Sequence, residues 1–275
     1  MTIDLQGPLV LVGAGKMGGA LLAGWLDKGL MPKDIFVRDP SPAPEVAKLI
    51  AEKGIGLNFS VADLVARKPA VVVLAIKPQL MGAVLPELAD LVSPDTLFVS
   101  IAAGTSLYGL KELLGEDMRA VRAMPNTPSA VGRGMTVCFA NLLVTAQQRN
   151  IADALLQAVG DVGWVESEPL IDAVTAISGS GPAYVFYLAE CMAAAGEALG
   201  LAPELSMQLA RATVSGAGEM LRQLPDDAAT LRKNVTSPGG TTAAALDVLM
   251  GEGGLSPLMR RAAVAARDRA RELGK

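Results

Sequence analysis

The first half of the chain alternates between short apolar runs and segments whose apolar residues recur at helical spacing. The apolar runs predict buried strands, and the intervening segments predict helices. Strands alternating with helices are typical of a doubly wound α/β domain, which we expect over residues 1–166. Thr145 and Gln148 have the spacing of a capping box at the start of the last predicted helix of this domain. Strands are predicted at residues 8–12, 34–38, 70–75, 97–101, 119–123, 135–139 and 163–165, and helices at residues 20–28, 43–53, 60–67 and 145–159.

Beyond residue 166 the strand-like runs disappear, and helical segments rich in alanine and leucine follow one another. We expect an all-helical domain over residues 167–275. Its segment 184–199 is apolar nearly all round, with few charges beyond Glu190 and Glu197. A helix that is apolar on every side has to be buried, and a small helical domain cannot bury it alone. We therefore predict a homodimer with intertwined C-terminal helices. Helices are predicted at residues 171–177, 182–199, 203–224, 226–234, 242–250 and 256–273.

Composition and charge narrow the classes of function that fit this pattern. A net charge of −4 without a basic cluster argues against nucleic acid and anionic membrane surfaces as partners. No apolar run reaches the roughly 18 residues that indicate a membrane helix, and residues 1–6 are not typical of a signal peptide. Cys138 and Cys191 are too few for a disulfide framework or a zinc site. We expect a cytoplasmic protein with no metal site. The chain contains no histidine, which excludes every mechanism that needs an imidazole base.

A glycine-rich turn joins the first predicted strand to the first predicted helix. Its glycines follow the pattern G-x-G-x-x-G in the strand–turn–helix order that dinucleotide binding requires. The first glycine allows the tight turn, the second lets a pyrophosphate approach the backbone, and the third lets the helix pack on the strand. The sequence therefore predicts a dinucleotide site whose loop consists of Gly13, Ala14, Gly15, Lys16, Met17 and Gly18.

The second predicted strand ends at Arg38 and Asp39, which stand side by side. An acid about 20 residues beyond the glycines binds the ribose 2′-hydroxyl of NAD, whereas an arginine favours the 2′-phosphate of NADP. Either side chain could also simply face solvent. The pattern predicts a nicotinamide cofactor and leaves NADPH and NADH both open.

Two later loops follow strand ends, where ligands bind in parallel sheets. Ile76 and Lys77 follow the strand at residues 70–75, and Lys77 either contacts the cofactor or is a solvated lysine. Ala103 lies in a tight turn after the strand at residues 97–101. Two prolines make the loop 124–128 stiff at the same edge of the sheet.

A second glycine-rich loop, residues 234–242, precedes an alanine-rich helix in the C-terminal half. Its adjacent glycines allow backbone conformations that a Cβ would forbid. The helix start offers N–H groups, hydroxyls and the positive end of a dipole. Such a site suits a small carboxylate. The alternative is an ordinary turn between two helices, with serine and threonine as caps.

Five stretches of the chain together resemble the pyrroline-5-carboxylate reductase family. They are residues 13–18, 75–78, 124–128, 176–184 and 235–246. The resemblance covers nearly the whole chain and implies NAD(P)H-dependent reduction of 1-pyrroline-5-carboxylate to L-proline, the last step of proline biosynthesis. It also implies a Rossmann domain, an all-helical dimerisation domain and often a ring of dimers, such as a homodecamer. In the family, the second glycine-rich loop completes its site with the cofactor domain of the partner subunit.

The resemblance also implies roles for individual residues. Ile76, Lys77, Ala103 and Asn234 are expected to line the cofactor together with the first glycine loop. Family members that use NADPH often have Asn-Arg or Ser after the second strand, so Arg38 and Asp39 make a strict NADPH preference doubtful. Thr242 is expected to be the catalytic residue, closest to the nitrogen of the substrate. The substrate-binding residues implied by the resemblance are Glu168, Ser237, Gly240, Thr241 and Thr242.

A protonated cyclic imine is already electrophilic, so its reduction fits a chain without histidine, and positioning is the main catalytic effect. Two rival functions fit parts of the sequence. A β-hydroxyacid dehydrogenase has a similar glycine motif and a helical second domain, but it uses a lysine base early in that domain. No lysine occurs here between Lys111 and Lys233. A non-catalytic NAD(P)-sensing module would need the first glycine loop but no substrate loop.

Overall fold

The computed structural model describes residue 3 and residues 5–274. Residues 1–6 are the segment that we judged not typical of a signal peptide. Of these, residues 1, 2 and 4 lie outside the described part. The chain forms two compact units. The first extends to Gly179 and includes the C-terminal segment from Arg267, and the second is Ser180–Ala266. The sequence pattern itself changes earlier, between residues 166 and 167.

A single mixed sheet organises the first unit. In the described residues its strands are β1 (Leu9–Val12), β2 (Ile35–Arg38), β3 (Gly56–Leu57), β4 (Val71–Leu74), β5 (Leu97–Ser100), β6 (Arg119–Met124), β7 (Gly134–Ala140) and β8 (Gly160–Trp164). Their order across the sheet is β3-β2-β1-β4-β5-β6-β7-β8. Neighbouring strands are parallel except β6 and β7, which are antiparallel. The predicted strands are confirmed, whereas the two-residue β3 was not predicted.

Helices occupy both faces of the sheet and form the second unit. The described α-helices are α1 (Lys16–Asp27), α2 (Pro44–Lys53), α3 (Val61–Arg67), α4 (Met81–Val84), α5 (Leu107–Leu114), α6 (Ala146–Leu156), α7 (Leu170–Val174), α8 (Gly181–Ala198), α9 (Pro203–Gln223), α10 (Ala228–Asn234), α11 (Thr241–Leu249) and α12 (Leu255–Leu273). Short 3₁₀ helices flank α4 at Pro78–Leu80 and Leu85–Leu91, and neither this helical stretch nor α5 was predicted.

Alternation of side chains along the strands produces two cores, one on each face of the sheet. Leu9, Leu11 and Val37 belong to the core on the side of α1, α2 and α6. Val10 and Phe36 belong to the core on the side of α3, α5 and the helical stretch around α4. The predicted doubly wound α/β architecture is therefore confirmed for the first unit.

Several helix ends depart from the sequence prediction; α1 begins at Lys16 rather than at residue 20, and α10 begins at Ala228 rather than at residue 226. The capping box of α6 is confirmed, because Thr145 and Gln148 exchange hydrogen bonds. The helix ends at Leu156 rather than at 159, because the chain must leave it before Gly160 begins β8 with a φ of 152°. The helix predicted at residues 171–177 ends as α7 at Val174 and continues as a π-helix, Thr175–Gly179.

The second unit is helical and leaves large apolar side chains exposed. Gly196 lets α8 approach α9, since a Cβ at this position would lie 2.8 Å from the Ser206 hydroxyl oxygen. Only Ala193 of α8 is buried, although the helix is apolar nearly all round. Across the described residues, no helix has both the length and the apolar character needed to cross a membrane.

Candidate functional site

The first glycine loop has the geometry of a phosphate-binding turn. Gly13 has a φ of 96°, and a Cβ there would lie 2.6 Å from the carbonyl oxygen of Ala75. A Cβ on Gly18 would clash with the Gly13 carbonyl oxygen, so α1 packs directly on the turn. Both positions therefore need glycine.

Gly15 shows the other property of such a turn, which is open space. A Cβ at Gly15 would meet nothing within 4 Å. Gly15 is the N-cap of α1 and makes no side-chain cap, so the first N–H groups of the helix are available to an anion. Gly15 and Lys16 are exposed, whereas Gly13, Ala14 and Gly18 are buried. The loop thus fits a pyrophosphate at its open side.

The end of β2 places its two charged residues differently. The Oδ2 atom of Asp39 accepts a hydrogen bond from the Ala14 N–H at 2.6 Å, which brings the carboxylate to the glycine loop. The Arg38 guanidinium donates to the Phe59 carbonyl oxygen at 2.9 Å and pairs with Glu87 at 3.2 Å. The structure therefore brings Asp39, but not the guanidinium group of Arg38, into direct contact with the loop.

The carboxyl ends of β4 and β5 carry the remaining predicted cofactor residues of the first unit. Ile76 lies beside the glycine loop, since its Cγ2 atom would be 2.8 Å from a Cβ on Gly13. Lys77 is exposed and occupies the N-cap position of the 3₁₀ helix Pro78–Leu80, without a side-chain capping bond. Ala103 is exposed in the turn after β5, next to Gly104 with its φ of 79°.

Glu168 takes part in a largely buried ion pair within the first unit. Its Oε1 atom accepts from Arg122 at 2.9 Å and from the Leu107 N–H at 2.8 Å. The side chain of Arg122 is only 9% exposed, and Asp172 lies 4.0 Å from its other terminal nitrogen. Asp172 also lies 3.7 Å from Arg271 of α12. Arg122 was missed by sequence reasoning, although an arginine inside an apolar strand is itself a signal for a buried acidic partner.

Asn126 joins two of the stretches that carry the family resemblance. Its amide nitrogen donates to the backbone and hydroxyl oxygens of Ser178, and its amide oxygen accepts from the Met135 N–H. Residues 124–128 and the start of residues 176–184 are therefore in contact. Asn126 was not singled out from the sequence, because a polar residue between two prolines also suits an ordinary turn.

The second glycine-rich loop lies in the second unit, between α10 and α11. Asn234 ends α10, and the Gly240 N–H donates to the Ser237 carbonyl oxygen at 3.0 Å across a turn in which Gly239 has a φ of 69°. Gly240 is the N-cap of α11 and provides no side-chain cap. Ser237 and Thr241 are exposed, and Thr242 is half-buried.

The groups at the start of α11 are of the kind that suits a small anion. The first N–H groups of a helix have no acceptor within the helix, and they lie at the positive end of its dipole. The hydroxyls of Ser237, Thr241 and Thr242 belong to the same short segment. The predicted arrangement, a glycine turn leading into a helix start, is confirmed.

The described residues offer little else for chemistry. Burial raises the pKa of the Cys138 thiol well above its usual range, so this cysteine stays protonated and is a poor nucleophile. Among the described residues, no group of three acidic, cysteine or histidine side chains could hold a metal ion.

Two family models match the chain. A model described as pyrroline-5-carboxylate reductase dimerisation matches residues 168–273. A model described as NADP oxidoreductase, coenzyme F420-dependent, matches residues 8–104. The second match contains the first glycine loop, Asp39 and Ala103, and the first match contains the second glycine-rich loop.

Similar proteins cover nearly the whole chain. Pyrroline-5-carboxylate reductase of Pseudomonas aeruginosa is 42% identical over 97% of this chain and 97% of that protein. The protein of the same name from Glycine max is 39% identical over 96% and 95%. A solved structure of a pyrroline-5-carboxylate reductase from Coxiella burnetii has a TM-score of 0.90 and 38% identity, covering 98% and 99%. Plasmodium falciparum pyrroline carboxylate reductase with NADP bound has a TM-score of 0.81 and 29% identity, covering 100% of both chains.

Proposed function

This chain belongs to the pyrroline-5-carboxylate reductase family, and from that membership we propose that it reduces 1-pyrroline-5-carboxylate to L-proline, the last step of proline biosynthesis. A nicotinamide cofactor, NADPH or NADH, supplies the hydride. The observation that carries the proposal is the open glycine cradle at Gly15, in a chain that a reductase of this name matches over 97% of its length.

The glycine loop of the first unit is the centre of the proposed cofactor site. The N–H groups of α1 and its glycine loop bind the pyrophosphate, because they are uncapped and exposed at Gly15 and Lys16. The end of β2 lies at the adenosine ribose. The loops after β4 and β5 contact the rest of the cofactor, and Asn234 is proposed as a cofactor residue from the family resemblance alone. The proposed residues are Gly13, Ala14, Gly15, Lys16, Met17, Gly18, Arg38, Asp39, Ile76, Lys77, Ala103 and Asn234.

The second glycine-rich loop binds the substrate in this proposal. The N–H groups at the start of α11 and the nearby hydroxyls hold the carboxylate, and the Thr242 hydroxyl hydrogen-bonds the ring nitrogen. This bond fixes the direction of the C=N carbon, so positioning provides most of the rate enhancement. Glu168 is proposed as a substrate residue from the family resemblance alone, and its Oε1 atom accepts from Arg122 and from the Leu107 N–H. The proposed substrate residues are Glu168, Ser237, Gly240, Thr241 and Thr242.

The activity is tested by following absorbance at 340 nm with 1-pyrroline-5-carboxylate and either cofactor. Substrate-dependent oxidation of NADPH or NADH is expected, and cofactor binding without such oxidation would instead favour a sensing module. Replacing Thr242 by Val should lower kcat/KM by roughly 10- to 100-fold, the range expected for one hydrogen bond to a charged group. Thr242→Ser should keep most of the activity. Thr213→Val, at an exposed position of α9, is the matched control. Equal losses in Thr242→Val and Thr213→Val would contradict the assignment of Thr242.

We further propose that the second unit forms a homodimer, which assembles into a ring of dimers such as a homodecamer. Helices α8 and α12 border an apolar groove of about 620 Å³. On α8, Phe186 is 62% exposed and Tyr187 is 65% exposed. Large apolar side chains that are exposed next to one another indicate a surface that another protein covers. The family model that matches this region is described as a dimerisation domain.

Size-exclusion chromatography with light scattering tests the assembly by measuring its molar mass. We expect the mass of a dimer or a multiple of it, and Phe186→Glu should lower that mass because a charge on a covered apolar surface is costly. Leu142→Glu, on a fully exposed loop residue of the first unit, is the matched control. A monomeric wild-type protein would refute the proposed dimer. We also propose a cytoplasmic location, which suits the two free cysteines Cys138 and Cys191.

A further inference from the structure

Arg38 and Asp39 project to opposite faces of the sheet. Successive side chains of a strand alternate between its faces. Val37 belongs to the core on the α1 face, whereas Phe36 belongs to the core on the other face. Arg38 therefore follows Phe36, and Asp39 follows Val37 toward α1. The contacts agree, because Asp39 bonds Ala14 of the glycine loop and Arg38 bonds the carbonyl oxygen of Phe59.

The guanidinium of Arg38 is already committed to other groups. One terminal nitrogen donates to the Phe59 carbonyl oxygen at 2.9 Å, and the other pairs with the Glu87 carboxylate at 3.2 Å. The side chain is 22% exposed. Glu87 offsets its charge, and the hydrogen bonds hold it on the face away from the glycine loop. To bind a ribose phosphate beside that loop, the side chain would have to give up both partners and change faces.

Asp39 is held beside the loop by its own hydrogen bonds. Its Oδ2 atom accepts from the Ala14 N–H at 2.6 Å, and its Oδ1 atom accepts from the Ser41 N–H at 2.8 Å. The Asn58 side chain bonds both the N–H and the carbonyl oxygen of Asp39 at 2.9 Å each. These two bonds fix the backbone from which the carboxylate projects.

A carboxylate fixed in this position distinguishes a hydroxyl from a phosphate. Each carboxylate oxygen can accept more than one hydrogen bond, so Asp39 can still accept from a ribose hydroxyl. A 2′-phosphate has no proton to donate when fully ionised, and its negative charges would face the carboxylate. Like charges at contact distance repel one another, more strongly near a protein surface than in bulk water.

We propose that Asp39 is the specificity-determining residue of the cofactor site and gives this chain a preference for NADH over NADPH. The Asp39 carboxylate accepts the ribose 2′-hydroxyl of NADH and repels the 2′-phosphate of NADPH. Arg38 contributes no compensating positive charge, because it is paired on the opposite face. This inference rests on the cofactor site of the proposed function, and it names the cofactor that this site selects.

Titration calorimetry of the full-length protein with NADH and NADPH tests the preference without any turnover. We expect NADH to bind at least about tenfold more tightly, the effect of one unfavourable charge contact. Asp39→Asn should reduce the ratio of the two affinities by about tenfold, because it removes the charge and keeps the shape. Asp39→Glu keeps the charge and should keep the preference. Asp95→Asn is the control. It removes an equal charge from an exposed residue before β5, at the amino-terminal edge of the sheet, and should leave the ratio of the two affinities unchanged.

Each outcome bears on the inference separately from the reductase activity. A wild-type protein that binds NADPH as tightly as NADH overturns the inference, even if Asp39→Asn fails to fold. An Asp39→Asn protein that folds, by circular dichroism, and keeps the wild-type ratio also overturns it. If NADH binds preferentially but is not oxidised with 1-pyrroline-5-carboxylate, the proposed function fails and the role of Asp39 stands.

Discussion

Glu168→Ala tests whether the buried ion pair with Arg122 stabilises the first unit. Removing one partner of a fully buried ion pair costs about 3–5 kcal/mol. Here Asp172 remains 4.0 Å from the guanidinium, and the Glu168 side chain is itself 22% exposed. Both facts lower the loss, so we expect the free energy of unfolding to fall by about 2–3 kcal/mol. The loss includes the Leu107 N–H, which no longer has its carboxylate acceptor at the start of α5.

Thermal and urea unfolding followed by circular dichroism measure this change. The midpoint temperature should fall by roughly 4–10 °C for a chain of this size. Protein concentration is held constant, because dissociation of an oligomer would shift the midpoint. Glu168→Gln keeps an oxygen acceptor for Leu107 and should lose less stability. The pair Arg122→Met and Glu168→Leu, introduced together, should recover part of the loss, since Arg122 is then not left without Glu168, whereas the Leu107 N–H still lacks its acceptor.

The matched control is Glu116→Ala, which breaks the exposed ion pair with Lys111 at 2.9 Å. The side chains of this pair are 39% and 82% exposed. An exposed pair of this kind contributes little to the free energy of unfolding. Equal decreases of the unfolding midpoint in Glu168→Ala and Glu116→Ala would refute our reasoning. They would mean that the buried pair stabilises the protein no more than the exposed pair does.

Two further changes test the glycine loop and the cysteines. Gly13→Ala should abolish measurable cofactor binding, because its Cβ would lie 2.6 Å from the Ala75 carbonyl oxygen. Gly29→Ala is the control, since Gly29 also has a positive φ, 89°, but open space around it; equal effects on binding would mean that the close contact is irrelevant. Because Cys138 is buried and its pKa is raised, iodoacetamide should modify it only in urea. Mass spectrometry after labelling at neutral pH would contradict this if folded protein carried the label on Cys138.

The sequence was sufficient wherever structure depends on residues close in the chain. The strand–glycine–helix unit at Gly13–Gly18 and the capping box at Thr145 form through contacts within a few residues. The same holds for the turn that leads from Gly239 into α11. Apolar runs identified the main strands because a strand buried on both faces has to be apolar throughout.

Segments with weak local patterns were missed or misplaced. β3 has only two residues, Gly56–Leu57, and neither residue type marks a strand. The change from α7 to a π-helix at Thr175 leaves the helical pattern intact, so periodicity alone cannot detect it. β6 and β7 pair in the antiparallel direction. The apolar content of a strand indicates that it is buried, but it does not determine the direction of its neighbour.

The candidate site divides in the same way. The sequence by itself determined the glycine loops, the residue types at the end of β2 and the helix start at Thr241. Only the tertiary structure decided that Asp39 faces the glycine loop, while Arg38 is paired with Glu87 on the opposite face of the sheet. It also decided that Glu168 is paired with Arg122. Alternation along β2 separates the two neighbours, but the face that carries α1 depends on how the chain crosses over the sheet. The partners of Arg38, Arg122 and Glu168 lie many residues away in the chain, and only folding brings them together.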